Sequence, residues 1–384
     1  MFYKNVRNYI KKIFYFAIDS LFIFKKKKYV LFVVRNEIMF SYARPIYEHL
    51  NNDKRLRIYF CFPAPQDFLN ENLEKLRKIH KFKTFHYPLA RFLKWDLIFF
   101  PDHWPYFRRD CRQIYIGHGV GSSKKVGGES YVYGRRSCHA DNTIIYDKIF
   151  TRSEYEHKRI EKYYPRFYSR SKVVGSLLVD EIKRFTLLKD EILRKINFSS
   201  EKKILMVVST WGPFSFIQTK GLEFISKIPD IADKYNIIIS IHHNNFEAKY
   251  SGGQNWQDLL GRIKCKNVFT ILDAREPYYL LANADILLTD ITSLGLYFPI
   301  LERPIIFFDN ENVRLEPDCL TLELRKVSYV IKDLANIKSD IVKAIETFSP
   351  EKMKELSSKI FSYIGSSWQR YAQEIYDSLS MEPN

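Results

Sequence analysis

Three short polar stretches carry residue types able to do chemistry, and each directly follows an apolar run. The first is Gly117-His118-Gly119-Val120-Gly121-Ser122-Ser123-Lys124-Lys125, after the run that ends at Ile116. Imidazole titrates near neutrality, so His118 at a strand end suits a general base acting on a hydroxyl. Gly119 and the glycines around it allow close backbone approach, while Lys124 and Lys125 can hold phosphate. A glycine-rich turn with one histidine also serves as a plain tight connection. No GKS or GKT triplet follows, so the stretch is not a P-loop.

The second stretch, His242-His243-Asn244-Asn245, follows Ile237 to Ile241. Paired histidines can ligate a metal, but adjacent residues of an extended chain point to opposite sides, and no DxD, HxH or HExxH pattern accompanies them. The expectation is no metal, with His242 hydrogen-bonding a phosphate or standing as half of a solvated pair. The third stretch is Thr289-Asp290-Ile291-Thr292-Ser293, between the buried-strand candidates Ile286 to Leu288 and Ile305 to Phe308. Asp290, Thr292 and Ser293 can cap the helix that begins there, and a helix start with free N–H groups seats a phosphate; both uses stay open. Ser209-Thr210-Trp211-Gly212-Pro213 and Thr151-Arg152-Ser153-Glu154 are further polar turns at strand ends, ordinary one by one. Their common placement carries more information than any single turn.

The elements that must position these turns read as alternating strands and helices. Strand candidates are Tyr29 to Val34, Arg57 to Phe62, Leu97 to Phe100, Gln113 to Ile116, Asp147 to Phe150 and Lys172 to Val174 in the first half. In the second half they are Ile204 to Val208, Asn236 to Ile241, Val268 to Ile271, Ile286 to Leu288 and Ile305 to Phe308. Helical spacing appears over Leu69 to Ile79, Gly221 to Tyr235, Pro277 to Ala282 and residues 350 to 380. The alternation predicts an α/β fold with two Rossmann-like, doubly wound domains facing across a cleft. Residues 29–185 form the first domain and 200–384 the second, joined by a charged connection at 186–202.

A chain of 384 residues, 46% hydrophobic, has material for two cores. Its net charge of +17 suits a polyanionic partner: nucleic acid, an anionic membrane or phosphorylated substrates. No nucleic-acid-binding signature accompanies the charge, so a basic nucleic-acid-binding protein rests on composition alone. Five scattered cysteines without a CxxC pair fit reduced thiols in the cytoplasm. Residues 1–28 hold eight Lys or Arg among aromatic and aliphatic residues, either as an interfacial helix on an anionic leaflet or as a basic tail docked on the body. The expected location is the cytoplasmic face of the membrane, peripheral and without a spanning helix.

In order and wording the motifs resemble those of the CDP-glycerol glycerophosphotransferases of teichoic acid and capsule synthesis, which have the GT-B fold. The family pattern runs approximately HGTPLKK, SSEY, APTWR, KLHP, ADxLITDYSS and KPIIFY. The counterparts are His118-Gly119 with Lys124-Lys125, Thr151 to Tyr155, Ser209-Thr210-Trp211, Ile241-His242, Ala284 to Ser293 and Arg303 to Phe308, across most of residues 110 to 375. The resemblance implies transfer of glycerol phosphate, or a related alditol phosphate, from a CDP-linked donor to a hydroxyl of a surface glycan or lipid-linked polymer, releasing CMP. It implies an acceptor domain at 29–185 and a donor-nucleotide domain at 200–384, with His118 as base, His242, Thr292, Ser293, Asp290 and Thr210 on the donor's phosphates, Gly119, Lys124 and Lys125 on the acceptor or its phosphate, and no cofactor. The departures are one extra residue before the lysine pair, Gly212 for Arg, His243 for Pro, and Ile291-Thr292 for Tyr-Ser. They bear on the donor more than on the fold. A nucleotide-sugar glycosyltransferase or a UDP-sugar epimerase would use the same frame.

Overall fold

A computed structural model describes residues 26–63, 76–104, 106–120, 125–126, 129–272 and 277–383. The expected amphipathic segment 1–28 lies outside these apart from its last residues, as does most of the Leu69 to Ile79 helix candidate.

The first half contributes β1 (Lys28–Val33), β2 (Leu56–Cys61), β3 (Leu97–Phe100), β4 (Arg112–Tyr115), the short hairpin β5 (Lys125–Val126) and β6 (Glu129–Ser130), then β7 (Lys148–Thr151) and β8 (Ser171–Val173). Six of them make a parallel sheet in the order β2-β1-β3-β4-β7-β8. The second half contributes β9 (Lys203–Ser209), β10 (Tyr235–Ile241), β11 (Val268–Ile271), β12 (Ile286–Thr289), β13 (Ile305–Phe308) and β14 (Tyr329–Ile331). These form a second parallel sheet ordered β11-β10-β9-β12-β13-β14.

Both sheets are buried on both faces, which explains why their strands read as continuous apolar runs. On β1, Val30 and Phe32 enter one cluster while Leu31 and Val33 enter another. On β9, Ile204, Met206 and Val208 face one core and Leu205 and Val207 the opposite one. Phe32 is stacked between Phe60 and Phe99 of the neighbouring strands, with ring centroids 4.9 and 4.7 Å away. The molecule is the expected two-domain, GT-B-like α/β arrangement.

In each sheet the strand order reverses once, between β1 and β3 in the first and between β9 and β12 in the second. Loops leaving the carboxyl ends of the strands part at such a point and leave a crevice for a ligand. The strand β14 has no counterpart among the sequence candidates, because Tyr329-Val330-Ile331 is too short a run to stand out.

The helix Ser367–Leu379 follows the second sheet in the chain, yet its Tyr371, Ala372, Ile375, Tyr376 and Leu379 lie in the first sheet's core with Val30 and Phe32. Other ties join the halves. The Tyr42 and Tyr278 hydroxyls share a hydrogen bond. Arg159, on the helix Glu154–Tyr163, makes a fully buried ion pair with Glu316 and donates from Nε to the Pro317 carbonyl at 3.1 Å. Removing one member of a buried pair leaves an uncompensated charge. Glu316→Ala is expected to cost about 3 kcal/mol of unfolding free energy, read by urea denaturation, with the companion Arg159→Leu/Glu316→Leu variant recovering most of it.

Candidate functional site

The site assembles at the carboxyl ends of the strands. Ser209 ends β9, Ile241 ends β10 and Thr289 ends β12, so the three polar turns of the second half leave neighbouring strands side by side. One buried carboxylate joins two of them. Asp290, 1% exposed, accepts from the Ser209 hydroxyl at 2.8 Å, the Thr210 N–H at 2.9 Å, the Phe216 N–H at 3.0 Å and the Thr292 N–H at 3.0 Å. Phe216 opens the helix Phe216–Ala232, so the carboxylate also sits at a helix start where negative charge is favoured. Asp290 therefore organises the turns from beneath.

The β10 turn is tied to the same group. His242 N–H donates to the Ser209 carbonyl at 3.0 Å, and the buried Asn245 donates to the Thr210 carbonyl at 3.1 Å. Thr292 caps the 3-10 helix Ser293–Leu301, its hydroxyl accepting from Leu294 N–H at 3.4 Å. Gly295 lies against Thr289, where a Cβ would come within 2.7 Å of the Thr289 hydroxyl, so a larger residue there forces Thr289 or the helix to shift. Ser293 stays exposed at the helix start.

The first half supplies His118. β4 runs to Tyr115, and the turn after it places Gly119 against Ser293, a Cβ there lying 3.2 Å from the Ser293 hydroxyl. Gly119 has φ +123°, a conformation open to glycine. The His118 turn and the helix-start turn, 174 residues apart, thus meet across the cleft. Arg152, buried, holds the chain just before the turn: it donates to the Ile116 carbonyl, and to the Tyr371 hydroxyl at 2.7 Å. Lys124 lies outside the described residues, and Lys125 is described only as backbone in β5.

The two histidines are held in opposite senses. His118 Nδ1 lies 2.8 Å from the Pro101 carbonyl, which can only accept, so Nδ1 carries the hydrogen and Nε2 presents a lone pair. His242 Nδ1 accepts from Asn244 N–H at 3.2 Å, which leaves the neutral ring's hydrogen on Nε2. Trp211, 37% exposed, stands near His242 with centroids 6.0 Å apart.

Behind His118 the structure adds residues to which the sequence assigned no role. Asp102 Oδ1 lies 3.9 Å from His118 Nδ1 and accepts from the Tyr131 hydroxyl at 2.9 Å and the His103 N–H at 2.8 Å. This carboxylate stands behind the ring, on the side of the nitrogen that His118 turns toward Pro101. Its sequence signal was its place in Pro101-Asp102-His103-Trp104 directly after β3. His103 stacks on Tyr115 with centroids 4.7 Å apart, and its Nδ1 meets the Tyr146 hydroxyl at 3.1 Å. Burial, against the pull of Asp102, pushes its pKa down to about 4. Among the described residues no group of three or more His, Cys, Asp or Glu is arranged to hold a metal ion.

The family profile described as CDP-Glycerol:Poly(glycerophosphate) glycerophosphotransferase matches residues 13–319, four-fifths of the chain. The chain belongs to this family. Relatives of this glycerophosphotransferase-family chain include the teichoic acid glycerol-phosphate primase of Bacillus subtilis, 26% identical over 211 residues, or 52% of this chain and 51% of the relative. The teichoic acid poly(ribitol-phosphate) polymerase of Bacillus spizizenii is 23% identical over 262 residues, or 63% of this chain and 39% of the relative. The chain spans about half the length of these curated relatives, or less. Among solved structures, the wall teichoic acid polymerase TagF superposes with a TM-score of 0.67 at 16% identity, covering 98% of this chain and 97% of that one. The UDP-GlcNAc 2-epimerase of Neisseria meningitidis gives 0.60 at 14% identity, covering 91% and 100%. At such identities both likenesses concern the fold.

The buried imidazole of His103 makes stability pH-dependent with a definite sign. Its folded pKa is depressed, so the unfolded chain binds the extra proton between pH 6.5 and about 4, and stability present above this window is lost as pH falls through it. Urea unfolding at pH 7, 5.5 and 4.5 is expected to show this decline, and His103→Gln to flatten it by about 1.4 kcal/mol per pH unit within the window.

Proposed function

We propose that this chain transfers a glycerol-phosphate or related alditol-phosphate unit from a CDP-linked donor to a hydroxyl of a cell-surface glycan or lipid-linked polymer, releasing CMP. Family membership supports the reaction class, and the opposite hydrogen-bonding senses of His118 and His242 carry the reading. His118, with its lone pair on Nε2, accepts the proton of the acceptor hydroxyl as that oxygen attacks the donor's distal phosphorus. Asp102 offsets the charge that develops on the ring. His242, with a hydrogen on Nε2, donates toward the phosphate of the departing CMP. The start of the Ser293–Leu301 helix adds N–H groups, and the Thr292, Ser293 and Thr210 side chains complete the donor seat. Asp290, a carboxylate among phosphate ligands, serves by holding the Thr210 and Thr292 backbones in place. No metal or cofactor is required by this scheme, since positioning and fixed dipoles supply the stabilisation of phosphoryl transfer.

The same reading places the chain on the inner membrane face, with residues 1–28 as the anionic-lipid anchor. Among the described residues no helix is long and apolar enough to cross a membrane. Removing residues 1–28 is expected to abolish co-sedimentation with vesicles containing phosphatidylglycerol, while full-length protein pellets with them and is released by high salt.

The decisive experiment follows CMP release from CDP-glycerol with a lipid-linked or oligosaccharide acceptor. His118→Ala is expected to lower kcat by about a hundredfold or more while CMP binding by calorimetry stays within about twofold. Unchanged turnover in that variant would remove His118 as the base. Absence of CMP release from every CDP-alditol, with folded protein, would remove the transfer reaction itself.

A further inference from the structure

The cleft contains a cation and a ring nitrogen that neither the donor seat nor the base accounts for. Arg35 follows the carboxyl end of β1, the strand at which the first sheet's order reverses. It is exposed, and among the described residues no carboxylate lies within ion-pair distance of it. The next residue, Asn36, caps the helix Glu37–Leu50 by accepting from Met39 N–H at 3.0 Å, so the chain turns away and leaves Arg35 at the crevice.

His243 comes from the opposite wall. Its ring stacks on His242 at 4.3 Å, and its Nδ1 is shielded from solvent without a hydrogen-bond partner among the described residues. A shielded ring nitrogen lacking a protein partner is costly unless a ligand satisfies it. Burial lowers the pKa of His243, Glu247 opposes this, and Arg35 and His118 lower it further by repulsion, so all three basic groups act on one region. Glu247 is the acid facing them, itself exposed at the far end of the β10 turn.

We propose that Arg35 and His243, together with the His118 turn, form a second anion subsite that holds a phosphate of the acceptor beside the hydroxyl being activated. This rests on the proposed transfer reaction. In that reaction the donor's phosphates are already provided for by Thr210, Thr292 and Ser293 at the second sheet's reversal point, between β9 and β12, and by His242 at the end of the neighbouring β10. Arg35 stands at the first sheet's own reversal point, on the wall that carries His118. Each sheet thereby presents one crevice, and a ligand at the first sheet's crevice is the one whose hydroxyl reaches His118. Guanidinium matches a phosphodiester's two free oxygens with paired N–H groups, which lysine does not reproduce. An acceptor that already carries a phosphodiester is accordingly preferred over a phosphate-free glycan, so the site favours extending a chain over starting one.

The test uses the full chain and two readouts. Calorimetry measures glycerol phosphate and, separately, CMP, on wild type, Arg35→Gln, Arg35→Lys and His243→Ala; thermal melting checks folding. Arg35→Gln is expected to weaken glycerol phosphate about tenfold or more, with Arg35→Lys and His243→Ala in between and CMP affinity held. In turnover, the KM advantage of a glycerol-phosphate oligomer over a phosphate-free acceptor is expected to collapse toward unity in Arg35→Gln. Equal glycerol phosphate affinity in wild type and Arg35→Gln overturns the subsite, as does an equal loss of CMP affinity. Arg35-dependent glycerol phosphate binding in a wild type that releases no CMP would leave the subsite standing and reject the transfer reaction.

Discussion

The second half of the site depends on one buried carboxylate. Asp290 accepts from a hydroxyl and three backbone N–H groups drawn from the ends of β9 and β12 and from the helix that follows β9. A buried charge is tolerable when it is hydrogen-bonded on every side and lies at a helix start, and both conditions hold here. The consequence is geometric. Turns that would move independently become one unit, and His242 and Asn245 join it through the Ser209 and Thr210 carbonyls.

Facing that unit is a single turn of the first half, whose position is also fixed from behind. Arg152 holds the Ile116 carbonyl, Pro101 holds the His118 ring, and Asp102 stands behind the ring at 3.9 Å. Contact between Gly119 and Ser293 then decides how closely the two walls approach. Arg159 with Glu316, Tyr42 with Tyr278 and the return of the helix Ser367–Leu379 to the first core maintain this approach, because each crosses between the halves with buried or part-buried groups. The crevice is thus a property of the domain ties as much as of its lining.

Much of this frame was legible in the chain, since strands buried on both faces must be short apolar runs and the turns after them must be polar. Leu97 to Phe100, Val268 to Ile271 and Ile305 to Phe308 show as strands with the same limits in sequence and structure. The turn residues His118, His242, Thr292 and Ser293 were marked by their position after such runs. What escaped had no local pattern. Asp102 follows β3 in a stretch whose composition is that of any turn, and Arg35 follows β1 as one cation among many in a basic chain.

The sequence by itself determined the alternation of elements, hence two parallel sheets, and the polar character of their carboxyl edges. It also determined the family, through ordered motifs. Strand order, the approach of Gly119 to Ser293 and the placement of Arg35 with His243 were decided only by tertiary structure. So was the tautomer of His118, set by the Pro101 carbonyl at the end of another strand, whereas that of His242 is set within its own turn by Asn244 N–H. The physical reason is common to all of them. Burial and periodicity act on each residue where it stands in the chain, whereas hydrogen-bond partners and facing walls come from segments as far apart as Arg152 and Tyr371, which no local pattern records.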